Sequence, residues 1–147
     1  MERHATGHNL NYTRVAMLRS DVMYVTPMDI YRLDNDSHNK TDAGVDLENR
    51  YAVVPAFNKY PVNDRMIYGP HAAVKIWAAE RFARLEAHVQ MMLKFRPGFG
   101  MHSERFLSNT IFPAIRQAGI KIHEHPHMCF FRVRVDESVW VSDCKTR

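Results

Sequence analysis

The sequence predicts a mixed α/β protein: a sheet of strands in both orientations with helices packed on it. Three observations carry this. Short apolar runs at 14–18, 51–57 and 66–69 are each closed by polar residues, Pro or Gly. Two longer segments, 71–94 and 103–118, repeat apolar residues at helical spacing. Two further apolar runs follow the helices, at 120–122 and 128–135.

Residues 14–18 read as a buried strand and 22–25 as a short extended continuation, which Pro27 ends by lacking a ladder donor. Residues 33–50 are almost wholly polar, a loop by composition that suits a surface insertion or a lid. Residues 51–57 form the next strand, and Met66-Ile67-Tyr68-Gly69 a short one broken by Gly69-Pro70. In the first helix the expected apolar face is Val74, Trp77, Ala78, Phe82, Leu85, Val89 and Leu93, with Glu80 and Arg84 as an i,i+4 pair. In the second it is Phe106, Leu107, Ile111 and Ile115; Glu104 suits its N-terminus and Gly119 its end. Pro113 predicts a kink within it. The last strand alternates at Phe131, Val133 and Val135.

Composition narrows the class. At 147 residues the chain is one domain's worth, 46% apolar and 24% charged, as in ordinary globular proteins. The net charge of +4 suits an anionic ligand such as a nucleotide phosphate. Basic residues are scattered, not gathered into a stripe, so no nucleic-acid partner is expected. Cys129 and Cys144 have neither zinc spacing nor the density of a disulfide framework, which favours a reducing compartment. No run approaches a membrane span, and the polar, His-rich first eleven residues resemble neither signal nor anchor. The expected setting is therefore cytoplasmic. Dinucleotide, Walker-type and zincin motifs are absent from the sequence.

Four polar segments carry candidate chemistry. In Arg19-Ser20-Asp21, at a strand end, Asp21 could hold a divalent cation and Arg19 a phosphate or carboxylate. The competing reading is an ion pair at the sheet edge. Asn63-Asp64-Arg65 offers donors and acceptors to sugar-like hydroxyls, or is a solvated turn. His102-Ser103-Glu104 supplies a base, Glu104, with His102 beside it, or a carboxylate that merely complements a helix dipole. His123-Glu124-His125-Pro126-His127 is interrupted by Pro126, so a closed zinc site is not expected; His125 or His127 could instead approach a phosphate or metal. Met91 and Met92 read as core filling.

Taken in order, these segments resemble GT-A-type glycosyltransferases over roughly residues 12–135. The run Leu18-Arg19-Ser20-Asp21-Val22-Met23-Tyr24-Val25-Thr26-Pro27-Met28 is similar to the strand carrying their D-x-D region. The segment Asn63-Asp64-Arg65-Met66-Ile67-Tyr68-Gly69 is similar to the acceptor side of the cleft. His102-Ser103-Glu104-Arg105-Phe106-Leu107 resembles the helix start with a late acid, and Phe130-Phe131-Arg132-Val133-Arg134 a closing strand. The nearest pattern is a subgroup with R-x-D in place of D-x-D.

The resemblance implies an incomplete GT-A-like α/β fold over residues 1–147, lacking most of the N-terminal nucleotide-binding βαβ units. It implies transfer of a sugar from a nucleotide-sugar to a carbohydrate or other hydroxyl acceptor. Asp64, Glu104 and His102 would be catalytic, and Arg19, Asn63, Arg65, His125 and His127 substrate-binding. Asp21 would be the ligand of a divalent cation, Mn or Mg, but Arg19 stands where the first acid of D-x-D belongs. The alternative is a non-catalytic sugar-binding or assembly module, with a partner chain or oligomer covering the N-terminal sheet edge.

Overall fold

In the computed structural model, residues 2–8, 10–31 and 50–144 are described. The polar stretch 33–49, expected as a loop, lies outside them. The fold is α/β with a mixed sheet. After a short helix α1 (Glu2–His8) come strands β1 (Arg14–Met17), β2 (Val22–Tyr24), β3 (Tyr51–Pro55) and β4 (Ile67–Pro70). Two helices follow, each interrupted by a π-turn. The first comprises α2 (His71–Lys75), a π segment (Ile76–Glu80) and α3 (Arg81–Phe95). The second comprises α4 (Ser103–Phe106), a π segment (Leu107–Ile111) and α5 (Phe112–Gln117). Strands β5 (Lys121–His125), β6 (Phe130–Val133) and β7 (Val139–Trp140) close the chain, ahead of a 3-10 turn (Val141–Cys144).

The strands form two sheets. The larger has the order β1-β4-β3-β5, antiparallel except for the parallel β3–β5 pair; the smaller is antiparallel, β2-β6-β7. Strand periodicity divides the core. On β3, Ala52 and Val54 face the helices with Ile67, Trp77, Leu107, Ile111 and Ile115. Val53 faces the other way, with Tyr68, Met66, Phe57, Met128 and Phe130, under the smaller sheet. A strand buried on both faces reads as an unbroken apolar run, as Ala52-Val53-Val54 does.

Gly69 fixes how closely β4 and β3 approach. Its φ is +151°, and a Cβ there would lie 2.8 Å from the Ala52 Cα and the Tyr51 carbonyl oxygen. β4 then passes into α2 without a linker, because Pro70 ends the strand and precedes the helix.

Several expectations are corrected. Pro113 sits in the first turn of α5, directly after the π segment, so a widened turn absorbs the missing donor. In the first helix Val74 and Trp77 are buried, but Phe82 and Leu93 are exposed and His88 is buried instead. The reason is coverage: beyond its own helix α3 packs chiefly on the segment Leu107–Ile111, leaving much of its surface open. In β6 it is Phe130 that fills the core; Phe131 is half-buried and Val135 lies exposed in a turn. The sequence reading also missed α1 and β7.

The cysteines give the sharpest correction. Cys129 and Cys144 are joined in a disulfide, which fastens the 3-10 turn to the approach of β6. Disulfides persist in oxidising compartments, so the cysteines do not favour a reducing, cytoplasmic setting. Among the described residues no helix is long and apolar enough to cross a membrane.

Candidate functional site

Three separate segments deliver polar side chains to one region. The first is the turn between β1 and β2. There the Arg19 Nε and Nη2 atoms donate to the two Asp21 carboxylate oxygens at 2.7 and 2.5 Å. The Asp21 carbonyl accepts from the Val133 N–H at 3.0 Å, which ties this turn to β6. The Arg19 hydrogen bonds hold the Asp21 carboxyl below its ordinary value, assisted by the charges of Arg19 and Arg134.

The second segment lies between β3 and β4. Asn63 is 1% exposed. Its Nδ2 donates to the Phe57 carbonyl and its Oδ1 accepts from the Arg65 N–H, both at 2.9 Å. Both ends of the amide are thus used internally, and the expectation that Asn63 touches a sugar is corrected: it shapes the turn that presents its neighbours. Asp64 and Arg65 are half-buried, and Arg65 lies 5.8 Å from the centre of the Phe57 ring.

The third segment is the start of α4. His102 is extended and leads into the helix, so that Ser103 and Glu104 fall in its first turn. Ser103 Oγ donates to Asp64 Oδ2 at 2.6 Å, joining the second segment to the third. His102 Nδ1 lies 3.3 Å from Glu104 Oε2. Burial pushes the Glu104 carboxyl above its ordinary value and the Asp64 charge pushes it further, while His102 and Arg65 pull it back.

Asp64 is the electrostatic centre of the group. Its charge acts on Arg19, on Glu104 and on Arg81, whose guanidinium stacks 4.8 Å from the Trp77 ring. Arg81 escapes sequence reasoning because its helix position looks like one more charge on a solvated face. Ser103, named only as part of a motif, proves to be the link between segments.

His125 and His127 stand elsewhere. They line a cavity of about 310 Å³ with Thr26, Asp29, Tyr68 and Met128. Asp64, Glu104 and Arg19 do not line it. The His127 N–H donates to His125 Nδ1 at 3.2 Å, and the rings of His123, His125 and His127 meet edge-on at 6.3 Å intervals.

The donor set does not fit a bound cation. Among the described residues no group of three or more His, Cys, Asp or Glu is arranged to hold a metal ion. Both Asp21 oxygens already accept from a guanidinium, so a cation would meet one carboxylate that is locally neutralised. Against protein-family models, curated proteins and solved structures, the chain finds no match in any of the three comparisons.

Proposed function

We propose that this chain is a GT-A-like glycosyltransferase domain that moves a sugar from a nucleotide-sugar to a hydroxyl acceptor. One observation carries the reading: Asp64 and Glu104, 40 positions apart in sequence, are drawn together by the Ser103–Asp64 hydrogen bond, and Glu104 is partly buried there with its pKa raised. A carboxylate whose pKa is raised toward neutrality is a better general base than an exposed one.

In the proposed step Glu104 takes the proton of the acceptor hydroxyl. The acceptor oxygen forms a bond to the anomeric carbon as the bond from that carbon to the diphosphate oxygen breaks. The electron pair leaves with the diphosphate, and this single displacement inverts the anomeric centre. Arg19 and Arg65 stabilise the departing charge, the electrostatic part of such a reaction. Asp64 orients Ser103, and its charge attracts Arg19 toward the Glu104 cluster. His102 restrains the Glu104 carboxylate. Asp21 holds Arg19 in register.

Titration of the chain with uridine and guanosine diphosphates and their sugar conjugates, with and without manganese, tests the reading. Binding of at least one of them, weakened in Arg19→Ala, is the expected result. No binding by any of them overturns it. Binding unchanged in Asp21→Ala removes that residue from the mechanism.

A second reading is supported by the sheet edge. Among the described residues no strand pairs with the outer side of β1, and Met17 and Leu18 beside it are 40% and 46% exposed. An assembly module whose partner chain covers this edge would bind carbohydrate without nucleotide, and the same titration separates the two.

A further inference from the structure

Next to the Glu104 cluster the surface opens into a cavity of about 360 Å³, walled by Tyr60, His88, Arg96, Phe99, His102 and Arg105. We propose that this cavity binds an acidic pyranose, a sugar ring bearing a carboxylate or a sulfate ester. On the transferase reading, on which this part rests, that sugar is the acceptor.

Charge is the first argument. Two arginines and two histidines line the cavity and no carboxylate does. Among the described residues neither Arg96 nor Arg105 is paired with an acid. Each guanidinium carries five N–H donors in a planar fork that matches a carboxylate or sulfate. Arg105 spends one on the Tyr60 hydroxyl at 2.9 Å, and its guanidinium lies 5.3 Å from the centre of that ring. The contact fixes Arg105 in place and leaves its other donors for a ligand.

Shape is the second. Tyr60 is 57% exposed, and its ring meets His102 edge-on at 5.4 Å. Phe99 meets His88 edge-on at 6.3 Å. Aromatic walls of this kind receive the C–H face of a pyranose, and the volume lies within the range of about 300–1,000 Å³ usual for small-molecule cavities. His88 adds no fixed charge: burial pulls its pKa down, and Nδ1 is engaged by the Thr110 hydroxyl at 2.8 Å. The loop carrying Arg96 and Phe99 is tied to the helix end, with Arg96 N–H on the Met92 carbonyl at 2.8 Å and Phe99 N–H on the Arg96 carbonyl at 3.2 Å.

Position is the third. His102 belongs to the cavity wall and also touches Glu104, so a sugar seated there lies beside the proposed base. Arg19 and Asp21 are not part of the wall. The cavity is thus distinct from the groups assigned to the diphosphate.

NMR titration of the chain with methyl β-glucuronide, glucose 6-sulfate and methyl β-glucoside is the test. At least one acidic sugar is expected to bind about tenfold or more tighter than the neutral one, and the two acids distinguish carboxylate from sulfate recognition. Arg96→Ala and Arg105→Ala should each reduce that advantage, and the double variant abolish it. Arg96 is exposed, so its variant keeps the parent melting temperature and reports on binding alone. Equal binding of acid and neutral sugars, no binding of either, or an advantage that survives in the folded Arg96→Ala protein overturns the proposal. So does displacement of the acidic sugar by uridine monophosphate, which would make the cavity a nucleotide site. Glucuronide binding without any nucleotide-sugar binding would leave the cavity's preference standing and sink the transferase reading instead.

Discussion

Asp21 and Glu104 are both carboxylates at the ends of regular elements, and their surroundings push them in opposite directions. Asp21 has 49% of its side chain exposed and gives both oxygens to one guanidinium, which holds its proton affinity down. Glu104 has 18% of its side chain exposed and faces a second acid, and its proton affinity rises. A satisfied carboxylate is poorly suited to accept a proton. A desolvated one near a like charge is well suited to it. The contrast separates a residue that organises the site from the residue proposed to react.

Replacing the reactive partner should have the largest effect. Glu104→Gln keeps the shape and removes the base, so the transfer rate should fall by roughly 10²–10⁴-fold with little change in donor binding. The parent rate should rise with pH along a limb centred above the ordinary glutamate value, and the variant should lose that limb. An Asp21→Asn protein with an equally large loss of rate would erase the distinction between the two acids.

The framework that presents Asp64 to Glu104 comes next. Asn63→Ala leaves the buried Phe57 carbonyl and Arg65 N–H without their side-chain partners, a cost of about 2 kcal/mol measured by urea unfolding. Asn63→Asp retains the acceptor for Arg65 but sets an acceptor-only carboxylate against the buried Phe57 carbonyl, so at neutral pH the aspartate variant should be no more stable than alanine and should recover as acid protonates it. If both variants were as stable as the parent, Asn63 would have to be read again as a ligand contact.

The two acids also predict opposite pH dependences of stability. For Glu104 the native pKa lies above the unfolded one, so between those values the folded state binds the extra proton. Its contribution is therefore present in acid and declines as pH rises through the window above the ordinary glutamate value. Glu104→Gln should remove that decline and be the more stable protein at neutral pH. Unfolding midpoints measured from pH 4 to pH 8 would expose a decline of the wrong sign.

The segments that carry this contrast were legible in the sequence, and the contrast itself was not, for physical reasons. Local polar runs between apolar ones marked Arg19-Ser20-Asp21, Asn63-Asp64-Arg65 and His102-Ser103-Glu104, because a strand end or helix start announces itself by composition. What sequence could not give was which acid is paired, since Arg19 and Asp21 look the same whether they bind each other or a ligand. Asn63 was misread because a buried turn amide and a solvent-facing one have the same neighbours in sequence. The order of apolar segments gave the α/β class, but the π-turns hid within ordinary helical spacing. Tyr60, Arg96 and Arg105 converge only in three dimensions. The Cys129–Cys144 pair was missed because two cysteines form no recognisable pattern, although β7 and its 3-10 turn bring them together.

The smallest expected effect belongs to the Arg19–Asp21 pair itself. Its members are 38% and 49% exposed at the side chain, so solvent screens the attraction and the pair should be worth no more than about 1 kcal/mol. Because the native Asp21 pKa is depressed, that contribution is present above the ordinary aspartate value and lost as pH falls through the native one. Asp21→Asn should therefore destabilise slightly at neutral pH, less so in 1 M salt, and not at all at the acid end of the curve. The same variant frees Arg19 from its fork while leaving the charge in place. If Asp21 acts only by holding Arg19, then Asp21→Asn should weaken nucleoside diphosphate binding less than Arg19→Ala does. Equal losses from the two variants would instead make Asp21 a direct contributor to the diphosphate site.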